Sequence, residues 1–419
     1  MVTTTRRTMN RASAMRRLGL QEYQTSCSYD LTVEERDALV DVVEGLTLEP
    51  VAGKSSKYTI RPGSFVGAVE VGDLSVLIHP KIGIAKMLSL ACYAMGAFRH
   101  REWQMFDFEE DVETLPDTLA LALAAAARRA FSRGLLHGYL TEEEALQTVR
   151  GRIRFDEQLR RRFGLPLPIE VTYDEFTDDI VENRLVKSAV HRLGEMRLRS
   201  SRAHRDLGWV AAMLKNVSHS DFAPKDVPEV SFNRLNEHYR IVVELSRLIL
   251  QNSAFESRRG EVRATGFLMD MNKVFQEFVT VALREELRLS PHSFGEKEIA
   301  SLDNAGNVHL RPDLTWRESG NCLFVGDAKY KVADHSVPNS DLYQLLAYVT
   351  ALDLPGGMLI YAQGESEPVT HEVRHIRKQL EIAALDLSGS LDEVLNRVKD
   401  IAGRVRAMRQ ATHRYRATS

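Results

Sequence analysis

The stretch from Val308 to Tyr330 has few ways to fold. Apolar and β-branched residues flank Glu318-Ser-Gly-Asn, a tight-turn signal, so the chain doubles back there as a β-hairpin. That hairpin nevertheless carries Asp313, Asp327 and Lys329 within 17 residues. A turn at 318–321 sets residue 313 opposite about residue 326. Asp313 and Asp327 then lie across the hairpin, one residue out of register. Asp327 and Lys329, two apart on one strand, share a face at roughly 6–7 Å.

Two carboxylates held together repel unless a cation joins them. Hard oxygen donors of this kind suit Mg²⁺ (or Mn²⁺), which keeps some of its waters and reaches for phosphate oxygens. Such an ion polarises a phosphodiester and lowers the pKa of a bound water, while a lysine orients that water and offsets charge in the transition state. The pattern fits metal-dependent phosphodiester hydrolysis, with Asp313 and Asp327 as metal ligands and Lys329 as the third catalytic group. Spacing alone fits a salt-bridged hairpin equally well, with Lys329 merely neutralising its neighbours. Two features weigh toward chemistry. Gln344 and Tyr348 lie four apart on one face of the next helix, although a partly buried helix face also accounts for that pair. Asp313 follows a proline at a strand position, where the lost pairing needs a reason.

Periodicity organises the rest. The last third reads as a helix over 267–289, strands over 309–316 and 322–330, and a helix capped by Ser340 and running to 352. Strands over 357–362 and 369–376 and a helix over 391–410 follow. This is a compact α/β layer. Upstream, a helix near 33–45 precedes strands over 57–60, 65–71 and 74–79, the last two joined by a Gly72-Asp73 turn, and then a helix over 84–98. From Pro116 the chain turns helical, with helices over 183–197 and 232–253 and short strands near 150–155 and 169–173. The expected fold class is α/β (α+β). Its parts are a flexible basic tail (1–24), a β-rich domain (25–115), a helical middle (116–255) and a C-terminal α/β domain (256–419), the second and last being the partner-docking and nuclease domains that the family resemblance given below implies.

Charge qualifies this reading. Fifty-five Lys and Arg against 58 Asp and Glu give a formal charge of −3. That excludes a uniformly basic nucleic-acid coat but not a local patch. Arg6, Arg7, Arg11, Arg16 and Arg17 near the start, and Arg404, Arg406, Arg409, Arg414 and Arg416 near the end, lie in segments with no acid. Arg404, Arg406 and Arg409 are candidate DNA-phosphate contacts, or a solvated helix end that favours cations. Cys27, Cys92 and Cys322 are too few and scattered for a disulfide framework or zinc knuckle and suit a reducing cytoplasm. The longest apolar run, 119–127, is far short of the ~20 residues that span a membrane. His371-Glu-Val-Arg-His375 matches a zinc-protease motif but alternates as a strand, where the helix that motif needs is absent. Gly53-Lys54-Ser55 imitates a P-loop end without its first glycine.

The Pro-Asp313…Asp327-Ala-Lys329 pattern, followed by Gln344-x-x-x-Tyr348, resembles the PD-(D/E)xK nuclease superfamily. The whole chain is similar to the McrC family, nuclease subunits of modification-dependent McrBC-type restriction systems. The likeness runs through Phe65-Val-Gly-Ala-Val, Leu77-Ile-His-Pro80-Lys81-Ile82, Gly151-Arg152-Ile153, Tyr173-Asp-Glu-Phe-Thr-Asp-Asp, Glu182-Asn183-Arg184 and Phe267-Leu-Met-Asp270-Met271-Asn272-Lys-Val-Phe275. Together these cover about residues 29–400. One departure stands out. Where the family carries a helical Glu after Met-Asn-x-x-Phe, this chain has Gln276 and then Glu277, about 100° round the helix.

The resemblance implies a C-terminal restriction-endonuclease-like domain that cuts double-stranded DNA carrying modified bases. It also implies an N-terminal region that docks on an McrB-like AAA+ GTPase and stimulates it, with GTP held by that partner. Arg61, Lys81 and the hairpin 66–78 are the docking candidates. Asp313, Asp327 and Lys329 would be catalytic, and Gln344, Tyr348 and Glu277 supporting. Two other readings stay open: a non-catalytic activator of the GTPase with a vestigial nuclease site, and a stand-alone repair or mobile-element nuclease.

Overall fold

The computed structural model describes residues 16–54, 56–97, 114–163, 165–259, 262–296, 300–332, 338–363 and 368–418. Arg6, Arg7 and Arg11 lie outside them. The chain divides into two compact units, one made of Met1–Met105 with Ala254–Ser419 and the other of Phe106–Ser253.

The first unit opens with β1 (Arg16–Gln21), β2 (Ser28–Asp30), α1 (Val33–Val42), β3 (Thr47–Pro50), β4 (Lys57–Arg61), β5 (Phe65–Val71), β6 (Leu74–His79) and α2 (Ile84–Ala94). The hairpin of β5 and β6 lies where expected, but the basic tail does not extend to residue 24. Leu18 and Leu20, 2% and 4% exposed, alternate with outward residues along β1, which pairs in parallel with β6. The arginines around this strand disguise its two inward leucines. α1 starts at a capping box: the Thr32 hydroxyl accepts from Glu35 N at 3.1 Å and the Glu35 carboxylate accepts from Thr32 N at 2.9 Å.

The second unit holds α3 (Leu115–Ala130), β7 (Gly138–Leu146), β8 (Arg152–Ile153), α4 (Phe155–Arg162), β9 (Ile169–Thr177), α5 (Val181–Glu195), α6 (Ser201–Met213) and α7 (Arg240–Asn252). α3, α5, α6 and α7 pack together around Leu119, Leu123, Leu185, Leu193, Val210 and Ile249, all fully buried. A sheet ordered β7-β9-β8 accompanies them, so this middle is less purely helical than its sequence suggests. The Glu182-Asn183-Arg184 motif has structural work here. Asn183 Nδ2 donates to the carbonyls of Leu136 and Asp178 at 2.8 and 2.6 Å, and Arg184 grips Asp179 through two bonds of 2.8 and 2.9 Å.

The first unit resumes with β10 (Ser253–Arg259), β11 (Val262–Asp270), α8 (Met271–Leu287), β12 (Phe294–Gly295), β13 (Ala300–Ser301), β14 (His309–Leu310), β15 (Leu314–Glu318) and β16 (Asn321–Val332). Then come α9 (Asn339–Ala351), β17 (Gly356–Gln363), β18 (Val369–Glu372), β19 (Gln379–Ala384) and α10 (Leu391–Thr418). The sequence placed Phe267, Leu268 and Met269 in a helix, but they belong to β11. A short apolar run reads either way, and Asp270, whose carboxylate accepts from Asn272 N at 3.0 Å, starts the helix only afterwards. β11 pairs antiparallel with β5, within a sheet ordered β1-β6-β5-β11-β10. The 66–78 hairpin is thus interior to a sheet, and the boundary drawn at 256 falls inside β10. His371 lies on β18 and His375 in the turn after it, so they do not share a helix face. Among the described residues no helix is long and apolar enough to cross a membrane.

A second sheet, ordered β12-β15-β16-β17-β19-β18, carries the acidic hairpin. β16, β17 and β19 run parallel. α9 covers the face to which Val325 and Lys329 point, packing Leu345, Tyr348 and Val349 against Val325 and Leu359. On the other face Tyr330 lies 6.0 Å from the ring of Phe275 on α8. α10 joins that layer, with the Thr412 hydroxyl donating to Leu323 O at 2.9 Å.

Gly67 is where the first sheet tolerates nothing larger. It sits at φ 144°, and a Cβ there would stand 1.9 Å from the Phe267 carbonyl oxygen on β11. Gly67→Ala should destabilise the fold by about 2 kcal/mol or more. Thermal and urea unfolding of the full chain measure this, and an unchanged midpoint would contradict the β5–β11 pairing.

Candidate active site

The β15–β16 hairpin turns through Ser319 and Gly320, both with positive φ (50° and 84°), as a two-residue turn requires. Next to the turn the expected register holds: Glu318 pairs with Asn321 and Arg317 with Cys322. A bulge between Trp316 and Arg317 then shifts it by one, so Leu314 pairs with Gly326 rather than Asp313. Asp313 therefore comes opposite Asp327, not one residue out of register with it. Asp313 N donates to Asp327 Oδ1 at 3.4 Å, and Ala328 N donates to Asp313 Oδ2 at 2.9 Å.

Asp327 is 1% exposed, and its Oδ2 meets the Lys329 ammonium. Lys329 Nζ also donates to Gln344 Oε1 at 3.1 Å. Gln344 Nε2 donates to the Tyr348 hydroxyl at 2.8 Å, and that hydroxyl donates to Arg311 O at 3.3 Å. The chain of contacts thus starts at Asp327, crosses to α9 and returns to the residues just before Asp313. Asp313, Asp327, Lys329, Gln344 and Tyr348 are all brought together.

Burial, and then the charge of Asp327, push the Asp313 carboxyl up to about 7 from an ordinary value near 3.8. Burial alone would lower Lys329. The charges of Asp327, Asp313 and Asp341 outweigh it and hold the ammonium above its usual range. Lys329 is therefore a fixed cation at neutral pH and not a proton acceptor. The two carboxylates, one fully buried and one half-buried, make a small oxygen donor set, the kind to which Mg²⁺ adds waters and substrate phosphate oxygens. No group of three or more His, Cys, Asp or Glu among the described residues is placed to hold a metal ion.

The remaining candidates lie elsewhere. Glu277 is about half exposed and paired with Lys273 at 3.8 Å, and Gln276 is half-buried. Arg61 and Lys81 are exposed, with Lys81 Nζ 5.1 Å from the Tyr23 ring centroid. Arg404 meets Glu381 at 2.9 Å, Arg406 donates to Glu286 O at 2.8 Å, and Arg409 makes two bonds of 2.7 and 2.8 Å to Glu318 while lying over Trp316. These arginines help hold α10 to its neighbours, so the acid-free segment is not a free basic arm.

Sequence reading missed Asp341. Ser340 does not cap α9. Pro338 precedes the helix, and Asp341 sits buried in its first turn, accepting from the Tyr361 hydroxyl at 2.7 Å. Its nearness to Lys329 arises from sheet order, which no local signal encodes. Also missed was the exposed apolar surface of the second unit. Phe155, Leu159 and Phe163 are 68%, 64% and 91% exposed at helical spacing along and just beyond α4, and Tyr139 and Phe176 are 76% and 61% exposed.

The model of the family "McrBC 5-methylcytosine restriction system component" matches residues 60–362, well over half of the chain. The chain belongs to the McrBC family. It is 24% identical over 309 residues to the type IV methyl-directed restriction enzyme EcoKMcrBC of Escherichia coli (strain K12), covering 68% of this chain and 86% of that protein. Its fold is similar to a chain in the half-complex from the tetradecameric assembly of Thermococcus gammatolerans McrB AAA+ hexamers with bound McrC. There the TM-score is 0.60 at 18% identity, covering 93% of this chain and all of that one. The McrBC match spans β4 to β17, so it includes both the acidic hairpin and the inserted second unit.

The displaced Asp313 value yields a pH test on the metal-free protein. A carboxyl raised on folding contributes stability that is present below its unfolded value and lost as pH rises through about 7. Asp313→Asn removes that titration. The variant should match the wild type in melting temperature near pH 4 and exceed it by a margin that grows as pH rises to about 7 and then levels off. Parallel melting curves across that range would refute the assignment.

Proposed function

We propose that this chain is the DNA-cleaving subunit of a GTP-dependent, modification-dependent restriction system, working with an AAA+ GTPase of the McrB kind. The observation that carries this reading is the Asp313–Asp327–Lys329 cluster, with Gln344 and Tyr348 closing around it, in a chain of the McrBC family.

Asp313 and Asp327 would hold Mg²⁺ or Mn²⁺, which supplies Lewis-acid activation of the phosphodiester and of a water. The chain's own residues do the rest. Lys329, kept cationic by its acid neighbours, donates hydrogen bonds toward the negative charge that builds on the phosphorus oxygens. Gln344 orients that ammonium from α9, and Tyr348 anchors Gln344 to the backbone before Asp313. Burial of Asp327 limits the water that would otherwise screen the pair.

GTP would be bound by the partner. Support for docking comes from the exposed apolar side chains of the second unit, large and aromatic as contact anchors tend to be. Arg61 and Lys81 remain available on the first unit, whereas the β5–β6 hairpin is occupied within its sheet. A second reading, a GTPase activator with a weak or vestigial nuclease site, draws on the placement of Glu277 against Lys273 and on the lack, among the described residues, of a third acid grouped with Asp313 and Asp327 to hold a metal.

One experiment separates them. With the cognate GTPase, GTP, Mg²⁺ and modified plasmid DNA, Asp327→Asn should reduce cleavage at least about 100-fold while leaving GTPase stimulation intact. Wild-type-like cutting by this variant would sink the site assignment. A wild-type chain that stimulates the GTPase without cutting would favour the activator.

A further inference from the structure

Behind the acidic hairpin sits a carboxylate that the proposed chemistry does not use. Glu22 follows β1 and is fully buried. Its Oε1 accepts two hydrogen bonds, from Lys81 N at 2.6 Å and from the Tyr330 hydroxyl at 2.8 Å. Its Oε2 is buried and accepts from no donor among the described residues. Tyr330 follows Lys329 on β16 but points to the opposite face, against Phe275 of α8. Lys81 lies in the turn between β6 and α2 and is exposed. Glu22 N donates to His79 O at 3.2 Å, so the carboxylate is fixed to the same turn from its backbone side as well.

A carboxylate buried with one oxygen unsatisfied is costly to keep, and apolar residues of similar size would fill the space at lower cost. Stability therefore gives it no reason to be there. What it does is join two segments that are far apart in sequence. One is an exposed turn with a positive charge at its tip. The other is the strand that carries Asp327 and Lys329.

We propose that Glu22 is a positioning residue that couples the Lys81 turn to β16 through Tyr330, so that contact made at that turn resets the alignment of Asp327 and Lys329. The surface partner at the turn would present negative charge to the Lys81 ammonium, which the Tyr23 ring already holds in place. The functional meaning rests on the nuclease reading above. The mechanical tie does not.

The test uses hydrogen exchange on the full-length chain, with Mn²⁺ as the probe in calorimetric titrations of the same proteins. Tyr330→Phe keeps the ring against Phe275 and removes only the hydroxyl. It should speed amide exchange in the Lys81 turn about fivefold and weaken Mn²⁺ binding by about the same factor, the loss of one hydrogen bond felt at both ends. Glu22→Gln keeps an acceptor for both donors and should leave both readouts near the wild-type value, whereas Glu22→Leu, which keeps neither bond, should behave like Tyr330→Phe. An unchanged Lys81 turn in Tyr330→Phe overturns the proposal. So does a turn that loosens while Mn²⁺ affinity stays at the wild-type value. If the turn responds but the wild-type chain binds no Mn²⁺, the coupling stands and the metal-dependent nuclease reading falls.

Discussion

Two acids facing each other across one hairpin set the terms for everything near them. Asp313 and Asp327 repel, and burial sharpens the repulsion because little water is present to screen it. The fold answers in three ways. It lets Asp313 take up a proton near neutral pH, offers backbone amides to both carboxylates, and inserts Lys329 between the acids and α9. A bulge one turn away decides whether the acids face each other at all. Without that extra residue Asp313 would be displaced along the strand and the pair would separate.

The second dependence is long-range. β11 pairs with β5, which places the first hundred residues and the last third in a single unit built on two large sheets and two small ones. The helical unit is an insertion in that chain, not a link in a row of three domains. Glu22 shows what the arrangement permits, since a residue near one end of the chain can support a strand near the other.

Much of this was legible beforehand. Ser319-Gly320 can hardly be anything but a hairpin turn, and Asp327 and Lys329 share a face by the two-residue period of a strand. The helices after Pro116 and after Leu391 are written in their composition. Other features compete with a second signal. Leu18 and Leu20 are hidden among arginines, and Phe267-Leu-Met reads as the start of the helix it precedes. The bulge at Trp316 leaves no mark in residue type. Asp341 and Glu22 look like ordinary surface acids, and only sheet order and a contact across 308 residues reveal them. The arginines of α10 mislead the other way: free charge in the sequence, paired charge in the fold.

The insertion also orders events during synthesis. β1, β5 and β6 leave the ribosome long before β11 exists, so one side of their sheet, β11 and β10, is still missing while the second unit is made. A long closure is slow, and a folded insertion shortens the flexible loop that must close. The second unit, rich in local helical contacts, can fold before that closure is made. The acidic hairpin comes later still, and Tyr330 meets Glu22 only after more than three hundred residues have been added. A nascent chain can therefore carry a finished helical unit before any part of its charged hairpin has been built.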